Sequence, residues 1–438
     1  MKHLTGCNRL NESFFETPGN AMAINDETPV AGNGLLDRRV FLRGGLAGGA
    51  ALLTATAAAV ERPDGSGAPG APMDESGEPS PHEAHVKRTG IRSAAGTTGS
   101  GVSFSPLEHL EGLITPSRLH FERHHSGIPA IDPGQHRLII HGMVDRPLSF
   151  SLDALARYPM ISRINFLECS GNSSSQLRAE PRQDPISHMH GLIAASEWGG
   201  VPLSVLLEEA GVKPEASWIV ADGADAALMS RSVPLEKAMD DAIVALYQNG
   251  ERLRPSNGYP MRLFLPGWEG NMSVKWLRAI KVVDQPAMSR EETSKYSDLQ
   301  QDGSANLFSF PMGVKSLITS PSSGMQLGPR GVYQLSGIAW SGGGRIIRVD
   351  ISADGGKTWA EAALDEHVLP KCLTRFRTAW RWDGSPSIIM SRAIDELGNV
   401  QPTRSSILAE RAVGSFYHYN GIQAWLIDSS GEVSNVYT

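Results

Sequence analysis

Apolar residues change their spacing several times along this chain, and each change predicts a different kind of segment. Residues 44 to 60 form a continuous apolar run rich in Ala, Gly and Leu. It is shorter than the roughly 20 residues needed to span a bilayer. Residues 61 to 103 show no period and are dominated by Gly, Ser, Pro, Ala and charges, too polar to offset their ordering entropy, so a flexible linker is expected there. From about 107 to 286 the pattern is mixed. Ser151 is placed to cap a short helix carrying Leu152 and Leu155 before Pro159. Leu203, Leu206, Leu207 and Ala210 share one helical face, with Gly211 as the stop. Short apolar strands at 136 to 140, 262 to 265 and 280 to 283 intervene, which predicts an α+β domain over residues 104 to 305.

Beyond about residue 310 the period falls to two. Ile347, Val349 and Ile351 are expected on one face, with Arg348, Asp350 and Ser352 on the other. Asp354-Gly355-Gly356 reads as a turn leading into a return strand from Lys357-Thr358-Trp359. Phe376, Thr378, Trp380 and Trp382 alternate with Arg375, Arg377, Ala379 and Arg381. Residues 306 to 438 are therefore expected to form an all-β immunoglobulin-like sandwich.

The first 60 residues read as an address. Arg38-Arg39 precede the apolar run, and Ala55-Thr56-Ala57 or Ala57-Ala58-Ala59 offer small-residue cleavage sites. This is the pattern of a twin-arginine signal, which implies delivery to the periplasm of an already folded protein. Gly44, Gly45, Gly48 and Gly49 argue against a buried helix there.

Composition narrows the function classes. The 438 residues are 40% hydrophobic and 20% charged, with net charge −7, enough for a large core in two domains. Basic residues do not cluster, which excludes a nucleic-acid partner. No stretch suits a membrane span. Cys7, Cys169 and Cys372 are the three cysteines, too few for a disulfide framework. No Cys-x-x-Cys-His occurs, so no c-type haem is expected on this chain.

Four segments of the α+β region carry candidate chemistry: Phe121-Glu122-Arg123-His124-His125, Leu167-Glu168-Cys169-Ser170-Gly171-Asn172, Gly223-Ala224-Asp225, and Gly258-Tyr259-Pro260-Met261-Arg262 running on to Ser273-Val274-Lys275-Trp276. Cys169 ends an apolar run and would be presented where a strand gives way to a turn. Gly171 permits a close backbone approach by a ligand. Arg123, His125, Arg262 and Lys275 suit an anionic ligand. Each has a structural reading too: a salt bridge for Arg123, a core histidine for His125, a turn former for Asp225, a solvated charge for Lys275. A zinc site at His120, His124 and His125 lacks further spaced ligands.

Together and in this order these segments resemble the sulfite oxidase family of molybdenum enzymes. The resemblance implies a molybdopterin-binding domain of the sulfite oxidase fold, a dimerisation sandwich and a molybdenum–molybdopterin cofactor. Residue by residue it implies Cys169 as the thiolate to molybdenum. Phe121, Arg123, His125, Asp225, Asn257, Arg262, Ser273, Val274 and Lys275 would contact the cofactor. Arg123 and Tyr296 would face the substrate. Asn257 stands where the family usually has histidine, and Ser173-Ser174 where it usually has a second basic residue; loss of that charge should weaken recognition of free sulfite.

The stretches 120 to 133, 290 to 296, 373 to 377 and 417 to 423 are similar to the sulfane dehydrogenase branch of the family. That branch implies oxidation of a cysteine persulfide on a sulfur-carrier protein, with electrons passed to a cytochrome c subunit. A free sulfite dehydrogenase is the alternative on the same scaffold. A reductase of oxidised methionine is weaker, because it would not need the sandwich. From another class, a secreted immunoglobulin-like binding protein would carry no metal.

Overall fold

The computed structural model describes residues 29–37, 77–93, 98–412 and 414–438. The arginine pair, the apolar run and both cleavage sites lie outside the described residues, as does Cys7.

The α+β half is built around two five-stranded sheets. One orders Glu251–Arg252, Ile243–Gln248, Ile193–Pro202 and Ile161–Glu168, with Arg262–Phe264 added on Ile243–Gln248. The other orders Leu148–Phe150, Leu138–Gly142, Leu277–Val283, Trp218–Gly223 and Ser230–Pro234, and its Leu138–Gly142 and Leu277–Val283 strands run parallel. The helix Leu203–Ala210 forms because four apolar residues fall on one face, and Leu203, Leu206, Leu207 and Ala210 are fully buried. Each buried leucine contributes about 2 kcal/mol. Gly211 ends the helix at φ +71°, where a Cβ would meet the Asp145 carboxylate at 2.8 Å.

The C-terminal half is a sandwich. A four-stranded sheet orders Lys315–Ser320, Gly331–Trp340, Thr374–Trp382 and Ala363–Leu364; a five-stranded sheet orders Ala360–Glu361, Ile346–Ser352, Ser387–Asp395, Ala424–Ile427 and Val433–Val436. Phe376 and Trp380 of the first share one core with Val349, Ile351 and Trp425 of the second.

Three expectations change. Ile347 was expected inward beside Val349 and Ile351, yet it is 56% exposed, because a register shift between Ile346 and Arg348 turns it outward. The return strand starts at Ala360 rather than Lys357, because Asp354 accepts from the Lys357 and Thr358 backbones and prolongs the turn. The stretch expected as a linker is ordered in part: Thr89–Ser93 and Gly101–Phe104 pair, and the latter also pairs with Glu122–His124. Polar composition missed these strands because pairing with other segments, not local apolar alternation, makes them strands.

The two halves meet at the end of the Ile161–Glu168 strand. Glu168 is 1% exposed and accepts from Trp340 Nε1 at 2.6 Å, Asn172 Nδ2 at 2.9 Å and Lys315 Nζ at 3.5 Å. Lys315, also buried, donates to the Tyr419 carbonyl at 3.0 Å and reaches the Ser173 hydroxyl. A glutamine offers one acceptor oxygen where three donors converge. Glu168→Gln is therefore expected to lower unfolding stability by about 3 kcal/mol, the scale of breaking a buried pair from one side. Denaturant unfolding checks this; a loss below about 1 kcal/mol would mean that the pair behaves as a surface contact.

Candidate active site

The Glu168 anchor fixes the next residue. Cys169 takes its amide partner from the Leu192 carbonyl at 3.0 Å, and the Asn172 amide returns to the Cys169 carbonyl at 2.8 Å. That turn places the thiol in the wall of a cavity whose empty space, counting the part open to solvent, is about 710 Å³. Burial raises the thiol pKa, with partial relief from the Gly171 amide and then Arg123. Cys372 is 1% exposed, and burial pushes its thiol up to about 12. Only Cys169, of these two, is placed for chemistry.

All eleven residues singled out in sequence line this cavity: Phe121, Arg123, His125, Cys169, Asp225, Asn257, Arg262, Ser273, Val274, Lys275 and Tyr296. Elements distant in sequence converge to do this. Arg123 lies on the Glu122–His124 strand, Arg262 starts the Arg262–Phe264 strand, and Ser273 to Trp276 follow a 3-10 turn at Gly270–Met272.

The cavity is cationic and under-compensated. Arg262 is 2% exposed; its terminal nitrogens donate to the Asn257 and Ser273 carbonyls at 3.0 and 2.7 Å, while its buried Nε has no partner. Burial lowers its pKa to about 9. Lys275 Nζ donates to the Arg123 and Ser256 carbonyls, each at 3.1 Å, and to His124 Nδ1 at 2.8 Å. Burial first, then Arg262, pushes Lys275 well below the usual lysine range. Burial, assisted by neighbouring cations, also drives His120 and His124 to about 3 and His125 to about 4. These imidazoles are neutral at pH 7. His125 Nε2 meets the Tyr296 hydroxyl at 3.0 Å, and burial raises the Tyr296 pKa, so the phenol keeps its proton and the tautomer of His125 sets the direction of the bond.

Other residues act on the wall. Asn257 Nδ2 donates to Gln248 Oε1 at 2.7 Å, and Ser273 Oγ accepts from the Leu265 amide at 3.1 Å, so both side chains brace the wall. The space beside Gly171 is taken by the Phe416 ring, which a Cβ there would meet at 2.8 Å. The close approach expected there from a ligand is made by the protein itself. Ser173 is buried against His190 Nδ1 at 2.7 Å, and neither it nor Ser174 lines the cavity. Sequence reading missed Tyr417, whose ring centroid lies 5.1 Å from that of Tyr296, and the buried Arg231–Glu269 pair that sits behind Tyr296. The tail 417 to 423 was noted only as a point of similarity, and Arg231 follows no recognisable spacing. No group of three or more His, Cys, Asp or Glu able to hold a metal occurs among the described residues.

The comparisons agree with this geometry. Residues 125–291 match the oxidoreductase molybdopterin binding domain, and residues 308–424 match the Mo-co oxidoreductase dimerisation domain. Sulfite oxidase of Gallus gallus is 32% identical over 330 residues, covering 68% of this chain and 70% of that protein. The chain belongs to the sulfite oxidase family. Mitochondrial sulfite oxidase of Mus musculus is 31% identical over 67% of this chain and 58% of its own, and the NADH nitrate reductase of Ulva prolifera is 28% identical over 67% and 38%. The chain thus spans less than two thirds of the length of these two relatives. A solved structure titled as the sulfane dehydrogenase SoxCD from Paracoccus pantotrophus superposes with a TM-score of 0.84 and 45% identity, covering 86% of this chain and 98% of that one. Family membership overturns the reading as a binding protein without metal.

The residues present fit the family's molybdenum–molybdopterin cofactor. Cys169 offers a soft ligand, and the unpartnered Arg262 Nε beside Lys275 is a vacancy for an anionic group. Two outcomes follow. Lys275→Met should abolish cofactor retention, because it removes a cation facing the cofactor's anionic groups; full retention, read as cofactor content of the purified protein, would contradict the assignment. Because His120, His124 and His125 titrate in the fold far below the unfolded value near 6.5, the unfolded chain binds more protons between about pH 6.5 and 4. Cofactor-free stability should therefore fall with acidity through that window, by up to about 1.4 kcal/mol per pH unit for each imidazole. Unfolding midpoints at pH 7 and 5 check this, and equal midpoints would contradict it.

Proposed function

We propose that this protein is a periplasmic, molybdenum-dependent dehydrogenase of sulfane sulfur, acting on a cysteine persulfide held by a carrier protein and passing electrons to a cytochrome c. The observation that carries the reading is the 45% identity to the sulfane dehydrogenase structure over nearly all of that chain. The composition of the substrate face supports it: Arg123 is joined there by Tyr296 and, beyond it, Tyr417 and Phe416. Phe416 is 52% exposed, an apolar contact for a protein-borne substrate.

When bound, the cofactor supplies oxygen transfer to sulfur and takes up two electrons. The chain does the rest. Cys169 holds the metal, Arg262 and Lys275 neutralise the cofactor's anionic groups, and Arg123 orients an anionic substrate. Tyr296 keeps its proton and is held by its hydrogen bond with His125 and by the tilted contact with the Tyr417 ring. The dimerisation match supports a homodimer through the sandwich. Arg38-Arg39 and the apolar run support twin-arginine export of the loaded, folded chain.

Initial rates with cytochrome c as acceptor, on free sulfite and on a persulfidated carrier, test the substrate. The carrier should be preferred by about tenfold or more in kcat/KM, or about 1.4 kcal/mol in transition-state binding. Efficient turnover of sulfite with no response to the carrier would make the enzyme a free sulfite dehydrogenase.

A further inference from the structure

Residues just before the arginine pair do not behave as a detached leader. Leu35 and Leu36 are 0% and 1% exposed, and Leu35 belongs to the sandwich core beside Trp380. The Leu36 amide donates to the Ala379 carbonyl at 3.0 Å, the Gly32 amide to Thr358 Oγ1 at 2.7 Å, and Trp380 Nε1 to the Asn33 carbonyl at 2.6 Å. Asn33 Nδ2 donates to the Ala353 carbonyl at 2.9 Å, and the Val30 amide closes the loop on Leu35 at 2.8 Å. The sequence is fitted to this seat. Asn33 and Gly34 are left-handed at φ +54° and +83°, and Cβ atoms at Gly32 and Gly34 would meet Asp354 Oδ2 at 2.2 Å and the Arg381 carbonyl at 2.1 Å. A segment with no partner in the fold has no use for such residues.

From this we infer that the edge of the sandwich around Ala353, Thr358 and Ala379 to Arg381 is a peptide-binding groove for the chain's own residues 30 to 36, and that its occupancy withholds the export signal. Arg38 follows Leu36 by two residues, a reach of at most about 7 Å. A receptor that clasps the arginine pair and its flanks collides with the sandwich unless the segment is first pulled out. Docked precursor is retained, released precursor is exported, and removal of the leader leaves the groove open in the mature enzyme. The inference rests on the export reading for its consequence, but docking itself does not.

Gly34→Val tests it without changing the apolar character of the leader, and Leu35→Asp with Leu36→Asp is a second way to empty the groove. In full-length precursor, hydrogen exchange at the amides of Val30, Gly32 and Leu36 should be slowed by about tenfold or more relative to either variant. In a pulse-chase experiment, both variants should be processed severalfold faster than wild type. Unprotected amides in the wild type, or variants processed at the same rate or more slowly, would overturn the proposal. Protection with no processing of any form would instead remove the export reading and leave the groove standing.

Discussion

The structure depends on one buried carboxylate. Glu168 lies at the last position of a strand from the α+β half, and its donors come from both halves: Asn172 from its own turn, Trp340 and Lys315 from the sandwich. Isolated charges are expensive to bury, so this position holds only when every donor is in place. That condition sets the turn that presents Cys169. The Cys169 thiol is thus positioned by a domain that contributes none of the side chains lining the cavity.

The cavity beside it reverses the logic. Arg123, Arg262 and Lys275 face an interior whose lining acids are Glu122 and Asp225, and burial depresses Arg262, Lys275 and the adjacent imidazoles. A folded protein keeps so many under-compensated cations together when an anion completes the site. Structural and chemical demands separate cleanly here: Glu168 is saturated by the protein, whereas Arg262 Nε has no partner in the protein.

Much of this was legible in sequence. The segments around Cys169, Arg262 and Lys275 combine residue types whose joint chemistry is rare, so their convergence on one cavity followed from motif order. Period-two alternation found the sandwich, and Gly211 marked a helix end. What stayed hidden depends on contacts between distant positions. The register shift that exposes Ile347 leaves no mark in composition. Thr89–Ser93 lies in polar sequence and becomes a strand through pairing. Tyr417 meets Tyr296 only because the C-terminal tail folds back across the Cys169 turn, where the His418 amide donates to the Ser170 carbonyl at 2.8 Å. The seat of Leu35 was obscured because residues 1 to 60 read as a leader, and a leader is not expected to pack.

The central claim, that the Glu168 turn presents Cys169 to molybdenum, is tested most directly by metal content and molybdenum K-edge absorption of wild type and Cys169→Ser, each from a molybdenum-replete host. The account predicts one molybdenum per chain with a protein-derived sulfur ligand in the wild type. In the variant that sulfur ligand should vanish and most of the metal be lost, because a hydroxyl is a poor soft-metal ligand. An unchanged sulfur shell and full metal content in Cys169→Ser would contradict it.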